Sequence, residues 1–148
     1  MRSQTSIAVE LIAESGDELG ECPLWDEREG ALYWVDSRAP AVKRVSLDTG
    51  KTHLLTLSET IGSIAFREGG GMLAATRSGL HFLDPASGDL ERVAAPEAHL
   101  PDNRFNDGRC DRQGRFWAGT MCDVRRATVR SGAPAAAMKT MNHAAEPE

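Results

Sequence analysis

Apolar and polar residues alternate in short bursts along most of the chain. Ile7, Val9 and Leu11 alternate with polar neighbours across Ser6–Ile12, the period of two that predicts a strand. A polar connector with Gly16 and Gly20 leads to Glu21-Cys22-Pro23-Leu24-Trp25-Asp26 and a turn at Glu29-Gly30. Ala31–Asp36 is rich in aromatic and β-branched residues, as strands are. Val42–Leu47 reads as another strand, closed by Asp48-Thr49-Gly50, and Thr52–Leu57 follows it. Asp36 and Asp84 stand at strand ends, where a carboxylate caps the following turn.

The same unit then recurs. Ile64-Ala65-Phe66 precedes a glycine-rich turn, and Met72–Thr76 answers Leu32–Asp36. Leu80–Leu83 leads into Asp84-Pro85-Ala86-Ser87-Gly88, which answers Leu47-Asp48-Thr49-Gly50, and Leu90–Val93 closes the unit as Thr52–Leu57 closes the first. A third copy runs from Asn106 through Gln113-Gly114 to Phe116-Trp117-Ala118-Gly119. The turn glycines Gly30, Gly70 and Gly114 lie 40 and 44 residues apart by subtraction, and Gly50 and Gly88 lie 38 apart. Four short strands in a period of roughly 40 residues predict the blades of a β-propeller. A plain sandwich of short strands would not repeat its turn glycines in phase. No helical period appears in this body.

Leu100–Met121 concentrates the chemistry. Asn103-Arg104-Phe105-Asn106-Asp107-Gly108 puts two amides, a guanidinium and a carboxylate into six residues, just ahead of a hydrophobic hairpin. Asp107-Gly108 and Gln113-Gly114 both read as turn dipeptides. A scaffold presents functional groups in this way at a sheet end. The same residues also fit an Asx-rich turn that stabilises its own backbone, and the segment alone does not choose.

Beyond Met121 the pattern stops. Residues 122–148 hold seven alanines, no alternating strand and few large aliphatics, with Gly132 and Pro134 interrupting any helix. Division at this point gives a patterned body, 1–121, and a tail, 122–148, expected to be disordered or weakly helical. A shifted reading frame would produce such a switch. The net charge of −5 divides into about −6 for the body and +1 for the tail.

That acidic balance argues against a nucleic-acid or anionic-membrane surface. There is no apolar run near the roughly 18 residues of a membrane span, and no basic start followed by an apolar core. Cys22, Cys110 and Cys122 form no CxxC pair and suit reduced thiols, so a cytoplasmic location is expected. Cys22 and Cys110 are expected to be small buried hydrophobes, and Trp25, Trp34 and Trp117 to pack the blades. His53, His81, His99 and His143 lack the spacing of a metal cluster or a serine–histidine relay.

Four segments in order, Leu19–Asp26, Leu32–Asp36, Asn103–Gly108 and Gly114–Met121, resemble the senescence-marker-protein/gluconolactonase/luciferin-regenerating-enzyme-like family. With the repeat, the resemblance covers residues 7–121 and implies a six-bladed propeller, of which this chain holds about two and a half blades. It also implies hydrolysis of a sugar lactone with a divalent cation, Ca²⁺ or Zn²⁺, in the central channel. Glu21 matches the family's first metal-binding carboxylate, and Arg104 and Asn106 match substrate-holding residues. Asn103 and Asp107 are candidates for a supporting role. A hard cation suits such oxygen ligands, polarises a lactone carbonyl and acidifies water, while a guanidinium stabilises an oxyanion.

The remaining ligands and the general base belong to later blades in that family, so no catalytic base is assigned here. The resemblance also implies a further acidic substrate contact shortly after Gly119-Thr120-Met121, where this chain reads Cys122-Asp123-Val124. The expectation is a truncated lactonase, inactive alone. The rivals are a non-catalytic half-propeller that self-associates through open blade edges, and an enzyme completed by a second copy or another chain.

Overall fold

The computed structural model of the protein describes residues 7–123 and 140–143. Three antiparallel sheets follow one another along the chain. The first is formed by β1 (Gly20–Asp26), β2 (Ala31–Asp36), β3 (Ala41–Ser46) and β4 (Thr52–Thr56), in that order. The second repeats it with β5 (Ile61–Phe66), β6 (Met72–Thr76), β7 (Leu80–Leu83) and β8 (Leu90–Ala94). The third pairs β9 (Asn103–Cys110) with β10 (Phe116–Cys122), and β10 with β11 (Thr140–His143). Two complete blades and part of a third make this an all-β partial propeller, as the repeat predicts.

The glycines that marked the repeat do the same work in each blade. Gly30, Gly70 and Gly114 adopt φ of 57°, 93° and 78°, a left-handed conformation that costs other residues more.

Hydrophobic cores fill the spaces between sheets. Val35, Ile61, Ile64 and Leu83, each under 2% exposed, belong to the core joining the first two blades. There the rings of Tyr33 and Phe66 meet edge to face, 5.2 Å apart. Ala65, Ala75, Leu80, Phe105, Phe116 and Ala118 join the second blade to the third. The first strands of the blades are neighbours, because β5 packs against both β1 and β9. The fourth strands, β4 and β8, are largely exposed.

Every first strand carries one extra residue. The register slips between Glu21 and Leu24 in β1 and between Ile61 and Ser63 in β5. In β9 it slips between Phe105 and Gly108, opposite Thr120 and Ala118. A bulge bends a strand and re-aims its side chains, a usual device beside a site. A second feature also repeats. The residue after each second strand donates its backbone N–H to the residue before the first strand: Ser37 to Leu19 at 3.0 Å, Arg77 to Thr60 at 2.8 Å, and Asp123 to Asp102 at 2.7 Å. Three equivalent rim positions result, one per blade.

Several sequence expectations are corrected. Ile7, Val9 and Leu11 form no strand and are 73–93% exposed, because no ladder partner reaches them among the described residues. Asp107-Gly108 is not a turn; it lies within β9, where the bulge absorbs it. Trp25 is half exposed rather than packed between blades. Cys110 is exposed, whereas Cys22 is buried as expected. Within the tail, Thr140–His143 forms β11; residues 124–139 and 144–148, where disorder or weak helix was expected, lie outside the described residues.

Candidate functional site

Glu21 sits at the start of β1, half buried, and its Oε2 accepts a hydrogen bond from Ser37 Oγ at 2.9 Å. Ser37 can reach it because the rim hydrogen bond to Leu19 fixes the adjoining backbone. That backbone is organised by Asp36, which has no exposed surface. Its carboxylate accepts from the N–H groups of Glu18, Leu19, Arg38 and Ala39 at 2.9–3.2 Å. Burial works against the charge of Asp36, but these backbone donors outweigh it and hold the carboxyl below its usual range. Lys43 Nζ, 3.7 Å from Asp36 and 2.6 Å from Asp17, adds positive charge beneath the loop.

Cys22, beside Glu21, is a non-glycine residue at φ 54°. Such a conformation persists where the surroundings over-determine it. Here Cys22 Sγ accepts from the Ile64 amide at 3.4 Å and lies 3.5 Å from the Ile64 carbonyl, stitching β1 to β5. Burial pushes its thiol above the ordinary range, so it is a structural tie rather than a nucleophile.

Across β5, strand β9 carries the other candidates. Arg104 has a side chain only 11% exposed. Its Nη1 donates to the Phe105 carbonyl at 3.0 Å and to Asn106 Oδ1 at 3.4 Å, so the structure brings Arg104 and Asn106 together. Arg104 Nε lies 3.2 Å from Asp123 Oδ1, and Asp123 Oδ2 lies 2.7 Å from Arg77 Nη1. Asn103 turns instead to Glu97, donating to its Oε2 at 2.9 Å. Asp107 Oδ1 accepts from the Gly108 amide at 2.8 Å and serves its own backbone. Glu21 makes no hydrogen bond or ion pair with any of these four among the described residues; it lines a different cleft.

The close approach of β5 to β9 depends on residues without side chains. A Cβ on Gly62 would stand 2.1 Å from the Asn106 carbonyl oxygen, and one on Gly108 2.8 Å from Ser63 Oγ of β5. Sequence reasoning missed Gly62, because a lone glycine in a strand announces a close approach without saying to what. It also missed Ser37 and Arg77, whose common rim position shows only once the blades are superposed. Asp123, two residues after Met121, is the carboxylate on which two arginines converge.

Among the described residues no group of three His, Cys, Asp or Glu side chains is close enough to hold a metal ion. A hard cation needs more donors than Glu21 alone. The described residues by themselves therefore do not fit a metal centre.

Similarity to known proteins decides the family. Residues 19–145 match the model of the SMP-30/Gluconolactonase/LRE-like region. The chain belongs to this family. It is 46% identical over 108 residues to the 6-deoxy-6-sulfogluconolactonase of Pseudomonas putida, covering 72% of this chain and 37% of that one. It is 39% identical over 129 residues to the regucalcin of Xenopus laevis, covering 84% and 42%. Among solved structures, a calcium-binding protein, regucalcin, from Agrobacterium tumefaciens superposes with a TM-score of 0.70 at 32% identity, over 75% of this chain and 38% of that one. A luciferin-regenerating enzyme at 22% identity, with a TM-score of 0.67, shares the fold over 86% of this chain and 45% of its own. The chain thus spans about two fifths of the length of these relatives.

Proposed function

We propose that the chain carries the first part of a sugar-lactone hydrolase site, with Arg104 and Asn106 holding the substrate and Glu21 supplying one oxygen ligand to Ca²⁺ or Zn²⁺. The observation that supports it best is the treatment of Glu21 and Arg104. Each lies beside the bulge of a first strand, and each is held by hydrogen bonds, Glu21 by Ser37 and Arg104 by the Phe105 carbonyl and Asn106. A side chain with a fixed rotamer pays less entropy on binding. Arg104 offers a planar fork suited to a lactone carbonyl or sugar hydroxyls, and the Asn106 amide adds a donor and an acceptor beside it. Asn103 and Asp107 support the strand rather than touch substrate.

No general base and no complete metal donor set belong to this reading of the described residues, so the chain alone binds lactone without turning it over. Self-association is the second reading, favoured by the exposed strip of Ile7, Val9, Leu11 and Ile12. It takes sedimentation that shifts with concentration to establish it. Nucleic acid and membranes are not among the proposed partners; no helix among the described residues is long and apolar enough to cross a membrane.

The test combines binding and turnover on the purified chain. An aldonolactone should perturb the Arg104 Nε–H resonance of wild type and not the spectrum of Arg104→Ala. Acid release with Ca²⁺ or Zn²⁺ should stay at background, with or without EDTA. A spectrum indifferent to the lactone would sink the substrate assignment. Metal-dependent turnover lost in both Glu21→Gln and Arg104→Ala would instead show that the chain assembles a working centre.

A further inference from the structure

Arg77 and Arg104 come from different blades and converge on one carboxylate. Arg77 holds the second blade's rim position, and its turn is anchored three ways. The Arg77 amide donates to Thr60, and the Thr76 amide to the Gly79 carbonyl, both at 2.8 Å. Ser78 donates its amide and hydroxyl to the two oxygens of Glu59, at 2.7 and 2.8 Å. Arg104 is fixed by Phe105 and Asn106, and the Asp123 backbone by Asp102. The Arg104 guanidinium is thus fixed, an anchored turn delivers Arg77 beside it, and the carboxylate between them belongs to a half-exposed residue at the rim.

Beside this pair opens a cleft of about 320 Å³, lined by Arg77, Arg104 and Arg92. Arg92 has no ion pair among the described residues. Glu59 and Glu97, hydrogen-bonded to Ser78 and Asn103, also line the cleft and offset part of its positive charge. Two guanidiniums on one oxyanion is a strong recognition geometry. The Arg77–Asp123 half of this contact, with side chains 43% and 34% exposed, is worth little, whereas the half to Arg104, an arginine only 11% exposed, is the one an incoming anion must replace in kind.

We propose that Arg77 and Arg104 form a clamp for the anionic arm of a small-molecule ligand, a sulfonate, phosphate or carboxylate, and that Asp123 occupies the clamp when no ligand is bound. Assigning that arm to a sugar lactone rests on the lactonase reading; the clamp itself does not. On that reading the clamp selects lactones that carry an oxyanion away from the ring carbonyl over neutral ones.

Arginine-detected NMR tests this without turnover. Sulfate, inorganic phosphate and acetate are titrated at constant ionic strength into wild type, Asp123→Asn and the double variant Arg77→Gln/Asp123→Asn, with chloride as control. Sulfate should shift the Nε–H signals of Arg77 and Arg104. Asp123→Asn should bind it at least about tenfold more tightly, and the double variant should lose that gain. A preference for sulfate or phosphate marks a tetrahedral arm and a preference for acetate a carboxylate; both support the clamp. No tightening in Asp123→Asn, tightening that survives Arg77→Gln, or equal response to chloride would overturn it. Unchanged circular dichroism in the variants separates these results from misfolding. A clamp that binds sulfate in a chain whose Arg104 ignores aldonolactone would refute the lactonase reading and leave the clamp standing.

Discussion

Strands β5 and β9 hold the same place in successive blades, carry the same bulge and face each other, yet they do opposite work. In β5, Ile-Gly-Ser-Ile-Ala-Phe is buried from Ile61 to Ala65 and presents no charged group. In β9, Asn-Arg-Phe-Asn-Asp-Gly-Arg-Cys buries only Phe105 and Gly108 and leaves the polar residues at least partly accessible. The fold sets where the backbone runs, and the sequence decides whether that position packs or presents. The plain strand makes the polar one possible: β5 abuts β9 through Gly62, and ties to β1 through Ile64 and Cys22.

Breaking the plain strand should therefore cost most. Gly62→Val would drive a side chain into the Asn106 carbonyl, where backbone must move. It should destabilise the chain by about 4 kcal/mol or prevent folding, read by urea denaturation. Asp36→Ala ranks next, because it strands four backbone donors; a loss of about 2–3 kcal/mol is expected by the same measurement.

Acid sharpens that second effect. The Asp36 carboxyl titrates lower in the folded chain than in the unfolded one. Its contribution is complete above the unfolded value near 3.8 and is lost as pH falls through the folded value. Denaturation midpoints of wild type should drop in that window, and those of Asp36→Asn should drop less.

Ser37→Ala removes one half-buried bond to Glu21 and should cost about 1 kcal/mol. Arg77→Ala breaks an exposed ion pair and should change stability by less than about 0.5 kcal/mol. Were Arg77→Ala to cost as much as Asp36→Ala, the rim of the second blade would be structural, not presenting.

The repeat was legible because it is local. Alternation, aromatic strands and turn glycines at fixed phase yield β2 to β8 with ends displaced by a few residues, whereas β1 shows in the sequence only as a short apolar segment. Asn103–Gly108 was legible as chemistry but not as geometry. Asp-Gly is a turn signal, and only the pairing of β9 with β10 absorbs it into a bulge. Ile7–Leu11 shows the converse failure. Alternation promises a strand, but a strand needs a partner, and none is described beside it. Cys110 and Trp25 mislead for a similar reason, since residue type predicts average burial and not the side of the sheet. Ser37, Arg77 and Asp123 differ in every chemical respect; only the common backbone hydrogen bond makes them equivalent.

The most direct test of the shared inner face is a set of nuclear Overhauser contacts in the isotopically labelled chain. The account predicts cross-peaks from Gly62 Hα to Asn106 and from the Ile64 amide to the Cys22 β-protons. Strong contacts within each blade with both of these missing would contradict it, because Glu21 and Arg104 would then stand on sheets that do not meet through β5.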